Sequence, residues 1–487
     1  MNKSANSLNF LPNLALTTLG GGILAIFYHI GRAPELKTRV PEFIALMLGA
    51  GVLYLVGVYL VERCQLGGGA LVIIIGVALA FRFCVLPADL SISIDAYRYQ
   101  WEGRVQLAGI NPYATNPAAL GHALEDPEHP LDVGITTPTL YPPLSEFSFA
   151  WVRTIPGYKR LYTGLDVASI VVLLLLLAIR RQPFQRVLAY AWNPTVVVSF
   201  ALCGHHDALA IFTLLVANLF IINQRAALSI LFLALSTLSK FFSVLLVPVF
   251  LRALPRRAQP DVILSEAKDL GSSNSMNEKD ASLALSMTGK GIERQARGIR
   301  WIYVGLFAAV VIASYVPYSG AGHKLLDGLA QYASGWENND SLFRLLLLAG
   351  NTKPQAGLIV GVFLAALVLF ALKQRMELLR ASLFLIAGLL LLSPNAFPWY
   401  FTWSIPFLCF YPNAPWLLMS ITCVLGYSPL IAYTAGGPYR DSPLILVLEY
   451  VPVLAWLAYL AWRETRNSKM ETRSSKLDAE LNRAASF

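Results

Sequence analysis

The chain has 487 residues, 56% of them hydrophobic and only 14% charged, with a formal net charge of +9 and a mean hydropathy of +0.56. Soluble domains carry about 25% charged residues, so the composition excludes an ordinary soluble protein and points to a chain embedded in the lipid bilayer. The basic excess invites a nucleic-acid partner, but the placement of its lysines and arginines excludes that reading.

In chain order, apolar runs occupy 11–30, 43–61, 70–89, 161–179, 187–202, 207–222, 301–317, 355–372, 381–394, 400–411, 415–432 and 444–462. Residues 226–251, bracketed by Arg225 and Arg252, read as a hairpin of two short helices. The expectation is an all-α polytopic membrane protein, a bundle of about 12–14 transmembrane helices. The first run has no small-residue cleavage site and reads as an anchor rather than a signal peptide. With the N-terminus cytoplasmic, lysine and arginine fall roughly two to one on the cytoplasmic side, so the basic balance reports topology with both termini inside.

This topology divides the chain into an N-terminal transmembrane part, 1–254, with a large non-cytoplasmic loop at 89–160 carrying interfacial helices. A polar, low-complexity cytoplasmic insertion at 255–300 reads as disordered. A C-terminal transmembrane part, 301–462, and a charged cytoplasmic tail, 463–487, complete it. Cys64, Cys84, Cys203, Cys409 and Cys423 sit in or beside apolar runs without a C-x-x-C pair, as unpaired packing residues do. No P-loop, Rossmann glycine pattern or metal-ligand spacing is present.

The 89–160 loop holds the most polar chemistry. Asp95-Ala-Tyr-Arg-Tyr-Gln-Trp-Glu102-Gly-Arg104 has helical spacing, which puts Asp95 and Glu102 on one face with Arg98 and Tyr99 between them. Asp95 reads either as a general base for an acceptor hydroxyl or as a helix N-terminal carboxylate favoured by the dipole. Glu102, nearly two turns on, either orients substrate or pairs with Arg98 at i,i+4. Residues 121–138 are polar and Pro-rich, as a mobile lid would be, and 144–156 is apolar but too short to span.

Further along, Trp192-Asn193-Pro194 and Gly204-His205-His206-Asp207 place polar groups at the lip of two apolar helices, where they are costly unless paired or used. They read as ligands for sugar hydroxyls, or less readily for a divalent cation, or, for Asp207, as a helix cap. Adjacent histidines make a weak metal site, because i,i+1 side chains on a helix point apart. Lys240, at the tip of the 226–251 hairpin, and Arg82, within an apolar run, each need an anion; a lipid phosphate would serve both, and snorkelling is the alternative for Lys240. Trp399 and Tyr400 read as belt residues or as stacking platforms for a sugar.

These pieces, in this order, resemble the GT-C superfamily of membrane glycosyltransferases, and within it the bacterial polyprenyl-phosphate-mannose-dependent mannosyltransferases. The residues that carry the resemblance are Asp95-x-Tyr-Arg-Tyr-x-Trp-Glu-Gly-Arg104, Asn111-Pro-Tyr, Tyr141-Pro-Pro-Leu, Trp192-Asn-Pro, Gly204-His-x-Asp207, Lys240-Phe and Pro398-Trp-Tyr400. It implies inverting transfer of a sugar, mannose first, from a polyprenyl-phosphate donor to a glycan or glycolipid acceptor outside the cytoplasm of a bacterial inner membrane. Asp95 would be the base. Arg82, Arg98, Glu102, Arg104, Tyr141, Asn193, His205, Asp207, Lys240, Trp399 and Tyr400 would surround the substrate. Many relatives carry a second acidic residue next to the first, where this chain has Ile94, so neither a metal site nor a cofactor is expected and a divalent cation is unsupported. A transporter or flippase of a lipid-linked saccharide is the alternative, although no inverted repeat of the kind transporters show is visible.

Overall fold

A computed structural model describes residues 3–254 and 300–484, and the insertion expected at 255–300 lies almost wholly outside them. Among the described residues the fold is helical throughout, with one isolated parallel bridge between Asn338 and Asn395. Three long helices open it: α1 (Lys3–Arg32), α2 (Val40–Arg63) and α3 (Gly68–Val85), with α1 packed against both others. The 89–160 loop contributes α4 (Asp95–Leu107) and α5 (Pro143–Val152), and the apolar α6 (Ile155–Ile179) follows, with Thr154 capping its start by accepting from the Gly157 amide.

The number of spans differs from the expectation. Among the described residues, eight helices are long and apolar enough to cross a membrane, or nine if one bent pair counts as a single span. The shortfall arises where apolar runs contain helix breakers. The 187–202 run splits at Trp192-Asn193-Pro194 into α7 (Leu188–Ala191), α8 (Pro194–Val197) and a π-helical stretch (Val198–Leu202). That piece meets α9 (Asp207–Ile222) at a 119° bend. The 226–251 segment is α10 (Ala226–Ser239), an extended Lys240, a 3-10 turn and α11 (Val247–Ala253), so the break expected at Lys240 is present. The 400–411 run is a 3-10 turn (Pro398–Trp403) followed by the four-residue helix Ile405–Leu408. Proline and side chains that bond their own backbone stop i→i−4 pairing even where every residue is apolar. These short pieces form the protein's own core: α9 packs between α6 and α10, and Trp192, Phe200, Ala210 and Leu215 are fully buried.

Two glycines shape the region that carries the site. A Cβ at Gly103 would fall 2.5 Å from the Phe149 carbonyl oxygen, so only glycine lets α4 lie this close to α5. Gly204 adopts φ +66° in the bend before α9. The stretch 121–138 is tied to α4 rather than standing clear of it. Trp101 Nε1 donates to the Ala123 carbonyl at 3.0 Å, Arg104 to Leu124 at 3.0 Å, and Arg98 to Gly134 and Thr137 at 2.9 and 2.8 Å. Beyond 300, a helix runs from 300 to 315, and the segments Asp327–Gly335, Lys353–Lys373, Leu378–Leu392, Ala414–Thr422 and Pro443–Ala484 close the bundle.

Candidate functional site

The site forms where the first turn of α4 meets the bend before α9, the break at Lys240 and the aromatic 3-10 turn at Pro398–Trp403. Asp95 opens α4, and its side chain makes no cap bond. It is 36% exposed and faces a recess whose walls strip much of its hydration. That burial, opposed by the Lys240 ammonium and assisted by the Asp207 carboxylate, pushes its carboxyl up to about 6. His205 lies behind it, with Nδ1 3.7 Å from Asp95 Oδ2, and stacks on Trp399 at 4.1 Å between ring centres.

Lys240 stands across from this pair. Its ammonium sits 4.7 Å from the Tyr400 ring centre and 5.9 Å from that of Tyr141, an aromatic clasp that favours a cation. Asp207 Oδ1 lies 3.5 Å from Lys240 Nζ and accepts from Trp403 Nε1 at 2.7 Å. Asp207 is fully buried, and its Oδ2 has no hydrogen-bond partner. Its carboxylate therefore serves Lys240 and Trp403, while the α9 N-terminus makes no side-chain cap bond. Tyr332 extends the aromatic wall, its hydroxyl 2.9 Å from that of Tyr400.

Asp95, Tyr141, His205, Asp207, Lys240, Trp399 and Tyr400 thus converge, and five other residues expected with them do not. Arg82 is spent on a buried ion pair: Nε donates to Asp166 Oδ2 at 2.6 Å and Nη2 to Oδ1 at 3.1 Å, while Nη1 reaches the Ala191 and Ala78 carbonyls. Four of the five guanidinium N–H donors are committed in this way, inside the protein and away from the Asp95 site. Asn193 caps α8, accepting from the Thr195 and Val196 amides and donating to Ser420 Oγ at 2.9 Å. Arg104 pins the 121–126 turn and lies 3.8 Å from Asp126. Arg98 binds Glu102 at 2.7 Å, the pairing its i,i+4 spacing allowed, together with the 134–137 carbonyls.

Glu102 belongs to a second buried network. Thr139 Oγ1 lies 3.0 Å from Glu102 Oε2 and 2.6 Å from Glu146 Oε1, and Gln106 Nε2 donates to Glu146 Oε2 at 2.7 Å. Burial and the neighbouring Glu102 hold the Glu146 carboxyl well above the usual range. One hydroxyl proton on Thr139 cannot satisfy two carboxylates, so Glu146 carries the second proton, while Glu102 also faces Arg98. This network fastens α4, α5 and the loop together; Tyr318 joins it by donating to Gln106 Oε1 at 2.9 Å.

Sequence reading gave no role to Trp403 or Tyr332, placed Tyr99 only on the Asp95 face, and took His206 only as one of the polar groups at the lip. Tyr99 and His206 meet, hydroxyl to Nδ1, at 3.1 Å, and the signal for Tyr99 was its place one turn after Asp95 on the same face. The two histidines do not point apart as they would on a helix, because the bend at Gly204 brings both Nδ1 atoms to the Tyr99 hydroxyl. Trp403 and Tyr332 had only their aromatic neighbourhoods as a signal. Among the described residues no group of three or more His, Cys, Asp or Glu side chains is arranged to hold a metal ion.

Residues 32–256 match the MptA_B family, described as alpha-(1->6)-mannopyranosyltransferase, N-terminal domain. That part of the chain is therefore similar to a mannosyltransferase family, in keeping with the resemblance carried by its motifs. No curated protein matches the chain. The match covers every element that builds the site except the 3-10 turn at Pro398–Trp403 and the Tyr332 helix. It supports mannosyltransferase activity, and the apolar helices make the protein an integral membrane one.

Proposed function

We propose that this mannosyltransferase moves mannose from a polyprenyl-phosphate donor to a glycan or glycolipid hydroxyl, with inversion, on the non-cytoplasmic face of a bacterial inner membrane whose cytoplasm holds both termini. The observation that carries the reading is the pairing of an accessible, weakly acidic carboxyl at Asp95 with the aromatic-clasped Lys240 ammonium across the recess. A base ionised near neutrality takes the acceptor proton as that oxygen attacks the anomeric carbon. The bond to the donor phosphate breaks on the opposite side of the sugar, and the departing phosphate gains from fixed positive charge at Lys240. Asp207 holds the ammonium in place from beneath. Trp399 and Tyr400, stacked on His205 and Trp403, frame the site with aromatic walls.

The test is mannosyl transfer in washed membranes with radiolabelled polyprenyl-phosphate-mannose, comparing the native protein with Asp95→Asn at equal protein level. Transfer by the native chain that disappears in the variant supports the reading. Equal transfer by both removes Asp95 from the chemistry.

A further inference from the structure

The proposed base does not stand alone. Asp95 Oδ2 lies 3.7 Å from His205 Nδ1, that atom is 3.5 Å from the Tyr99 hydroxyl oxygen, and the same oxygen is 3.1 Å from His206 Nδ1. Tyr99 has one proton to give. The shorter contact takes it, so Tyr99 donates to His206 Nδ1 and turns a lone pair toward His205. His205 then carries its proton on Nδ1, aimed between the Tyr99 oxygen and the Asp95 carboxylate. The opposite assignment would set an imidazole lone pair against a carboxylate. Both rings are held against rotation: Tyr99 stacks on Phe149 at 4.4 Å, and His205 stacks on Trp399.

We propose that Tyr99 and His205 are positioning residues for Asp95: Tyr99 sets the tautomer of His205, whose Nδ1–H orients the carboxylate and favours its ionised form. The contact at 3.7 Å is long for a hydrogen bond, as such contacts often are before substrate binds. The inference rests on Asp95 being the base of the proposed transfer, but its own test does not. Other ionisable groups within electrostatic reach of Asp95 are Lys240, which favours its charge, and Asp207, which opposes it. Cys203 from the bend, Tyr141 before α5, Tyr332 from the Asp327–Gly335 helix, and Tyr427 and Tyr439 near the C-terminal spans complete the surroundings. Changes at Tyr99 or His205 leave all of these in place.

The experiment uses the full-length protein in detergent and follows labelling of Asp95 by dicyclohexylcarbodiimide, which reacts with protonated carboxyls, by peptide mass spectrometry across pH. In Tyr99→Phe, which keeps the stacked ring, and in His205→Ala, the labelling midpoint is expected to rise by about half a pH unit or more. His205→Asn, which returns an N–H near the position of Nδ1, is expected to bring the midpoint back toward the native value. Transfer assays alongside are expected to show kcat about 10-fold lower in Tyr99→Phe with little change in KM for the donor. Midpoints in Tyr99→Phe and His205→Ala that coincide with the native one overturn the proposal, even where transfer still requires Asp95. Shifted midpoints in a protein that does not use polyprenyl-phosphate-mannose leave the positioning pair standing and remove the donor assignment.

Discussion

Arg82 offers the sharpest test of reading a site from its geometry, because motif reasoning placed it on a phosphate and the fold pairs it with Asp166. Both side chains are fully buried, and the guanidinium makes four hydrogen bonds, two to the carboxylate and two to backbone carbonyls. Removing one partner of such a pair strands the other charge in a low-dielectric interior, at a cost of about 3–5 kcal/mol. Replacing both by apolar groups of similar size removes both desolvation penalties and is often close to neutral. Arg82→Met and Asp166→Leu should therefore each lower the melting temperature of the detergent-purified protein by about 5 °C or more. The double variant should recover most of that loss, giving a coupling of about 5 kcal/mol or more in magnitude in a double-mutant cycle. Fluorescence-detected size-exclusion after a heat ramp measures all three. Mannosyl transfer by the double variant should stay near native when scaled to folded protein. A well-folded double variant without activity would refute the reasoning and return Arg82 to the substrate.

Three other outcomes follow from the site. The Asp95 carboxyl, raised to about 6, is ionised above that pH, so kcat/KM should be full near pH 7.5 and fall about tenfold for each pH unit below 6; a flat profile between pH 5 and 7 would exclude Asp95 as the base. Lys240→Met should cut transfer about 10²–10³-fold by removing fixed charge at the leaving phosphate, with Lys240→Arg retaining more, as radiolabel transfer in membranes would report. In the loop network the proton sits on Glu146, so Glu146→Gln should change stability by less than about 1 kcal/mol, whereas Glu102→Gln, which leaves Arg98 without its anion, should cost about 2–4 kcal/mol; equal losses in thermal melts would contradict that proton assignment.

Much of this protein is determined locally. An apolar fraction this high makes a helical membrane protein, since only helices or closed barrels satisfy the backbone in lipid. The Asp95–Tyr99 stripe follows from helical spacing alone, and the break at Lys240 follows from a run too long for one short helix yet bracketed by arginines. The tertiary structure decided what local pattern leaves open. A polar residue in an apolar run needs a partner, but the run does not say which: Arg82 finds Asp166 84 positions away, and Asn193 finds Ser420 227 positions away. Such groups look in sequence just like Asp207 and Lys240, which find each other and the recess instead. Hydropathy likewise sees composition and not continuity, so Pro194 and Pro398 turned expected spans into broken pieces, and that breakage brings the polar lips together. Burying a charge is costly, and which partner offsets that cost depends on chain segments meeting in space.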